Sequence, residues 1–159
     1  MICVIQRVSE SSVSVSGSIV GKSGPGLCIF LCAVSGDTDQ DVSLLTEKIP
    51  KLRVFPDENG KNNLSLLDKN FSLLVVSNFT LAADCRKGNR PSYFAAGDPK
   101  RAEELYLLFV KKMEEKGIHT ETGIFGEHME VSLKNNGPVT LFLNSADLRK
   151  TDGKGVIAG

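Results

Sequence analysis

The sequence predicts a mixed α/β fold: one domain, with a curved, barrel-like mixed sheet and two main helices packed outside. Three observations carry this. Ser12-Val13-Ser14-Val15-Ser16 alternates strictly between polar and apolar, as a half-buried strand does. Leu27–Val34 is a continuous apolar run and Phe71–Phe79 is built around another, Leu73–Val76, the pattern of strands covered on both faces. Between and after these runs lie two segments with apolar residues at helical spacing. At 159 residues the chain is long enough for one ordinary core. The mixed order of strands and helices then favours a sheet with helices on its outside.

In chain order, Ile2–Val8 alternates weakly and leads into the Ser12–Ser16 alternation. Gly17-Ser18 turns the chain into Ile19-Val20, a hairpin. Gly21–Gly26 is a loop that feeds the buried run Leu27–Val34. Asp37 or Thr38 can cap a first helix reaching to about Lys51, with Val42, Leu45 and Ile49 on one stripe. Pro50 makes its last turn irregular. Pro56–Gly60 is a turn, and Asn63–Leu67 reads as a short strand. Phe71–Phe79, the second central strand, runs into a polar loop, Ala82–Asp98, that carries Arg86, Lys87 and Arg90. Asp98-Pro99 opens the clearest helix, an N-cap followed by proline at the first helical position. Ala102, Leu105, Tyr106, Phe109, Val110 and Met113 share its apolar face, and Gly117 ends it. Strands follow at His128–Leu133 and Val139–Leu143. Residues 1–144 form the domain, and 145–159 lack periodicity and read as a polar, mobile tail.

Lysine plus arginine equals aspartate plus glutamate at 19 each, and 41% of residues are hydrophobic. No global field therefore draws in nucleic acid, and any RNA contact must be local. No apolar run approaches the roughly 20 residues of a membrane helix. The first residues lack the zoning of a signal peptide, so the expected compartment is the cytoplasm. Cys28 and Cys32 lie on one face of a buried strand, as core filler. With Cys3, Cys85, His119 and His128 they form no metal-ligand spacing, so neither metal nor cofactor is expected.

Familiar catalytic patterns are missing. Gly21-Lys22-Ser23 suggests a phosphate loop, but position 16 is serine and Gly24-Pro25-Gly26 forbids the helix that should follow. There is no Gly-x-Ser-x-Gly elbow. Glu103-Glu104 and Glu114-Glu115 fall on the solvent face of the second helix, and both histidines sit at element ends. Two backbone features remain. Ser77-Asn78-Phe79-Thr80-Leu81 leaves the sheet where the apolar run stops, so its N–H groups can face a cleft as an oxyanion site, or its hydroxyls can simply cap the ladder. Asn135-Asn136-Gly137-Pro138-Val139-Thr140 is either an ordinary turn or a rigid device for close approach. Gly137 has no Cβ, and a proline bond is the kind that is cheaply cis.

Together these segments resemble the D-aminoacyl-tRNA deacylases, first described as D-tyrosyl-tRNA deacylases. Ser77–Leu81 is similar to that family's Ser-Gln-Phe-Thr-Leu, and Asn135–Thr140 to its Asn-x-Gly-Pro-x-Thr. The similarity also takes in Gln6-Arg7-Val8, Leu81–Asp84, Arg90-Pro91-Ser92 and Thr120–Gly123, and ends near Asn144. Position 78 departs from it: asparagine stands where the family has glutamine, one methylene shorter.

The resemblance implies a cytoplasmic homodimer that hydrolyses the ester between a D-amino acid and the 3′ adenosine of tRNA, and that also accepts glycyl-tRNA. It implies catalysis at Thr80, Phe79 and Ser77, and substrate binding by Asn78, Met129, Gly137, Pro138 and Arg7. A Gly137–Pro138 bond, held cis, would reach into the partner's site and exclude L-residues, with Arg7 holding its loop. No membrane or DNA partner is implied. Arg86, Lys87, Arg90, Lys100 and Arg101 are candidates for acceptor-stem phosphates or are ordinary surface charge. Two other readings stay open: a non-catalytic module that binds an RNA end, and a sister deacylase that clears a mischarged L-amino acid.

Overall fold

A single long strand, β1 (Ile2–Val15), organises the sheet in the computed structural model, which describes residues 1–149. Its N-terminal half pairs antiparallel with β3 (Gly26–Cys32), and its C-terminal half pairs with β2 (Ser18–Ser23). Along its other edge runs β8 (Glu130–Asn144). β3 pairs in parallel with β6 (Ser72–Ser77), and β6 in parallel with β7 (Thr120–Thr122). The order β2-β1-β3-β6-β7 curls until its ends meet. A Cβ placed on Gly21 of β2 would lie 2.3 Å from the Thr122 carbonyl oxygen of β7, so the barrel is nearly closed and glycine permits the approach.

Parallel neighbours need crossover connections. The first contains α1 (Asp39–Lys48) and the second α3 (Pro99–Glu115). Both lie on the outer face, where Val42, Leu45, Phe109 and Met113 bury against Ile5, Leu27, Ile29, Leu73 and Val75. A second cluster fills the inner face with Val8, Val13, Cys28, Leu74 and Val76. Thr38 and Asp41 form a capping box at the start of α1, and Asp98 accepts the Arg101 amide at the start of α3. After α1, Pro50 turns the chain through a short 3-10 segment, Ile49–Lys51.

Four places differ from the sequence reading. The segment expected as a strand at Asn63–Leu67 is split: β5 (Asn62–Leu64) pairs with β4 (Phe55–Pro56), and then Ser65 caps the short helix α2 (Leu66–Lys69). β7 is too short to show any periodicity. The two expected strands His128–Leu133 and Val139–Leu143 are one strand, β8, interrupted by a bulge. Gln6 pairs with Thr140 and Val8 with Asn135, so the four residues 136–139 bulge out opposite Arg7 alone. The Gly137–Pro138 bond in that bulge is cis. Finally, the segment expected as a mobile tail begins with a helical turn, α4 (Ser145–Arg149), in which Ser145 is buried. The remainder of that expected tail lies outside the described residues.

The turn is held by charge. The Met1 ammonium, itself buried, contacts Asp37 Oδ1 at 2.7 Å and Ser145 Oγ at 2.5 Å. Ser145 Oγ donates to Asp41 Oδ1 at 2.7 Å, and Arg149 contacts the same carboxylate. Burial pushes the Asp41 carboxyl up, but Arg149, Ser145 and the Thr38 amide outweigh it and hold the group well below the usual carboxylate range. One buried carboxylate thus fastens β8 and α4 to α1.

Candidate active site

A cavity of about 810 Å³ opens where the parallel strands β3 and β6 end. Carboxyl ends of parallel strands are where such sheets place ligands. Its floor is Phe30–Ala33 and Val76–Ser77. One wall is the 3-10 turn Phe79–Ala82, and the other is the segment Phe125–Met129. Tyr106 of α3 closes the back, and Tyr93 stands at the mouth.

The turn begins at Asn78, whose extended backbone carries the chain out of the sheet. Its amide N–H donates to the Leu31 carbonyl at 2.9 Å, anchoring the exit to β3. The side-chain Oδ1 of Asn78 accepts twice from Thr80, from the hydroxyl at 2.5 Å and from the amide at 3.2 Å. Phe79 supplies the first amide of the turn, which has no acceptor within a turn of this kind. The Phe79 ring is 58% exposed and meets Tyr93 edge to face, with centroids 5.1 Å apart. Opposite, Met129 Sδ lies where a Cβ on Gly123 would be only 2.4 Å away, so Gly123 makes room for the methionine against the cavity.

Five of the eight site residues predicted from sequence meet here: Ser77, Asn78, Phe79, Thr80 and Met129. The other three form a separate cluster. Arg7 is buried and spans the bulge: its Nε donates to the Asn136 carbonyl at 2.8 Å, and its Nη1 to the Val54 carbonyl at 2.5 Å and to Asn62 Oδ1 at 2.9 Å. Asn135 braces the other side, accepting the Val139 amide at 3.1 Å and donating to Thr140 Oγ1 at 3.2 Å. Gly137 and Pro138 are left exposed at the tip.

The cavity is poor in acid–base groups. Burial pushes the Cys32 thiol up and the Tyr106 phenol to about 12, away from any working proton transfer near neutrality. The Tyr106 hydroxyl is already committed to the Val75 carbonyl at 2.8 Å. His119 pairs with Glu121 at 2.9 Å on the surface. His128, read from sequence as a surface residue, is exposed but borders the cavity. Among the described residues, no three of His, Cys, Asp or Glu converge as a metal site. Besides the exposed Glu127 and His128 at its edge, what the arrangement offers is backbone N–H groups, an amide and two hydroxyls around an apolar slot. Such a site stabilises developing negative charge by position.

Phe125, Tyr93, Tyr106 and Met1 line the cavity without having been singled out from sequence. Tyr106 belongs to the apolar stripe of α3 and reads as core. Phe125 follows Gly123 closely, and that glycine was the available signal.

The D-Tyr-tRNA(Tyr) deacylase family model matches residues 4–144. The D-aminoacyl-tRNA deacylase of Persephonella marina is 51% identical over 148 residues, covering 93% of this chain and 100% of that protein. The protein of the same name from Dinoroseobacter shibae is 50% identical over 143 residues, covering 90% and 99%. A solved structure of the c-Myc DNA Unwinding Element Binding Protein shares the fold with a TM-score of 0.85 at 36% identity, covering 91% of this chain and 98% of that one. Matched along nearly all of its domain and half identical to such relatives, this chain belongs to the D-Tyr-tRNA(Tyr) deacylase family.

Proposed function

We propose that this protein hydrolyses the ester between a D-amino acid and the 3′-terminal adenosine of tRNA, in the cytoplasm, and releases free amino acid and tRNA. The observation that carries the reading is the convergence of Ser77, Asn78, Phe79, Thr80 and Met129 on one cavity that holds backbone donors but no activated nucleophile. An ester needs no strong base if water and carbonyl are held in line and the oxyanion is met by fixed donors. The carbonyl oxygen of the substrate docks at the Phe79 amide. As charge develops it also draws the Thr80 amide away from Asn78 Oδ1. Water, oriented by the adenosine 2′-hydroxyl, adds to the carbonyl carbon, and the bond to the 3′ oxygen breaks as that oxygen takes a proton. Asn78 and Met129 hold the adenosine end.

Selection against L-residues belongs, in this reading, to the bulge. Gly137 and Pro138 lie apart from their own chain's cavity, are exposed, and are braced by Arg7 and Asn135. A rigid projection of this kind suits insertion into the cavity of a second copy in a symmetric dimer. An L-side chain would meet those backbone atoms, whereas a D-substrate presents hydrogen, and glycine presents hydrogen in either sense. Glycyl-tRNA(Ala) is therefore expected as a second substrate.

Matched D- and L-tyrosyl-tRNA, with glycyl-tRNA(Ala), test this in a deacylation assay. Rapid release from the D- and glycyl esters with the L-ester intact is expected. Comparable release from the L-ester would favour an L-clearing enzyme, and tight binding without release a non-catalytic module.

A further inference from the structure

The segment Tyr93-Phe94-Ala95-Ala96 is a turn, closed by the Ala96 amide on the Tyr93 carbonyl at 3.0 Å. Tyr93 and Ala96, at its two ends, both line the cavity. Phe94 between them is 96% exposed, the most exposed large apolar side chain of the described residues. Turns of this kind ordinarily carry small or polar residues at the apex. Here a phenyl ring stands in water at the rim of the cavity, next to the half-exposed Tyr93 and its edge-to-face partner Phe79.

The same loop is locally basic in a chain with no net charge. From Cys85 to Gly97 it holds Arg86, Lys87 and Arg90 and no carboxylate. Asp84 neutralises Arg86 through paired contacts at 2.9 and 2.7 Å, and Arg86 in turn draws the Asp84 carboxyl down to about 2. Lys87 and Arg90 are exposed and, among the described residues, held by no carboxylate. The antiparallel bridge Asp84↔Ser92 folds this basic stretch back beside the aromatic turn.

Exposed rings next to unpaired cations match one ligand chemistry: flat bases joined by phosphates. Single-stranded RNA is read by stacking its unpaired bases on aromatic side chains while cations track the backbone. We propose that Phe94, with Lys87 and Arg90, forms a stacking ledge for the unpaired nucleotides that precede the terminal adenosine, so that the protein grips the RNA end outside the cavity as well as within it. This deepens the proposed function and rests on it for the polarity of the strand, with the terminal nucleotide in the cavity and its neighbours on the rim.

Direct binding tests the ledge independently of hydrolysis. The probes are a short RNA hairpin with an unpaired ACCA 3′ end and the same hairpin with a blunt end, titrated against the full-length protein. Phe94→Ala is expected to weaken binding of the overhanging hairpin about tenfold, in the range measured for loss of one stacked base. Phe94→Trp should retain it, and the blunt hairpin should bind all three proteins alike. Arg90→Ala should flatten the salt dependence of overhang binding by about 0.7 in log–log slope, as for one single-strand phosphate contact. Hydrolysis of a D-tyrosyl ester of adenosine alone, which cannot reach the rim, should be unchanged in Phe94→Ala. Equal overhang affinity of wild type and Phe94→Ala would overturn the ledge. So would a fall in sedimentation coefficient in that variant, which would make Phe94 a contact between copies of the chain. If wild type binds the overhang through Phe94 but cleaves no ester, the ledge stands and the deacylase reading fails.

Discussion

The Asn78 carboxamide oxygen accepts both the hydroxyl and the amide of Thr80, at 2.5 and 3.2 Å. The threonine hydroxyl therefore gives its proton to a neutral acceptor that cannot keep it, which is no route to an alkoxide nucleophile. In the proposed reaction Thr80 acts by position. Thr80→Ala should lower kcat/KM by roughly 3- to 10-fold, the worth of one ordinary hydrogen bond, and should not abolish turnover. No aminoacyl ester on Thr80 should be trapped by acid quench and mass spectrometry during turnover. A trapped ester, or complete loss of activity in the alanine variant with folding intact, would refute the positional role.

The same pair orders the turn through the Asn78 side chain. Asn78→Ala removes the acceptor that orders the turn and should reduce kcat/KM by a further ordinary hydrogen bond's worth, roughly 3- to 10-fold. Asn78→Gln keeps the amide with one more methylene of reach and should hold or raise affinity for the aminoacyl-adenosine end. Steady-state kinetics on all three proteins decides this, since equal values throughout would make position 78 a spectator.

Arg7 satisfies three acceptors from three parts of the chain, the carbonyls of Asn136 and Val54 and the side chain of Asn62. Lysine presents one point charge and cannot reproduce that fork. Arg7→Lys should therefore loosen the bulge while keeping the charge, and Arg7→Ala should cost about 1–3 kcal/mol because three hydrogen bonds from a buried charged donor are lost. Urea denaturation gives the stability loss. Discrimination between D- and L-esters should degrade in Arg7→Lys before overall stability does, and unchanged discrimination would detach Arg7 from the filter.

Much of this fold is legible in the sequence because its signals are local. Asp98-Pro99 and the stripe from Ala102 to Met113 announce α3, and the apolar runs announce β3 and β6. The missing parts are decided at long range. β7 is three residues, too few for periodicity, and exists because β6 offers it an edge. α4 forms because Ser145 and Arg149 find the buried Asp41 carboxylate, a partner more than 100 positions away. The bulge at Asn136–Val139 reads as a break between strands, since nothing in Gly137-Pro138 reveals that both flanks pair with the same β1. The site shows the same division. Ser77–Thr80 stands out where an apolar run stops, whereas Phe125, Tyr93 and Met1 reach the cavity only through topology.

Gly137 is constrained twice. Its φ of +134° lies in the region that favours glycine, and a Cβ there would fall 2.7 Å from Arg7 Nη2 and 3.1 Å from the Val139 amide nitrogen. Gly137→Ala should therefore displace the arginine that braces the bulge. The strain is about 1–3 kcal/mol, which for a chain of this size lowers Tm by roughly 2–4 °C for each kcal/mol. Activity on D-esters should fall along with it. An alanine variant with unchanged Tm and unchanged D-ester turnover would show that the bulge adapts freely and is no rigid filter.

Asp41 is the buried carboxylate expected to contribute to the acid limit of the fold. Its carboxyl is buried, and the net effect of Arg149, Ser145 and Thr38 is to depress its folded-state titration. A carboxyl depressed by folding stabilises the native state at every pH above its unfolded value of about 3.9, and that contribution is lost as pH falls from there toward the native value. Stability should accordingly be flat near neutrality and drop below about pH 4. Asp41→Asn removes the titrating group: it should be less stable at pH 7, because Arg149 and the Met1 ammonium lose a nearby counter-charge, and its acid limb should be shallower. Thermal melts of both proteins from pH 2.5 to 7 measure the difference. Parallel acid limbs would show that other carboxylates govern acid unfolding and that the clasp between α1 and α4 contributes little to it.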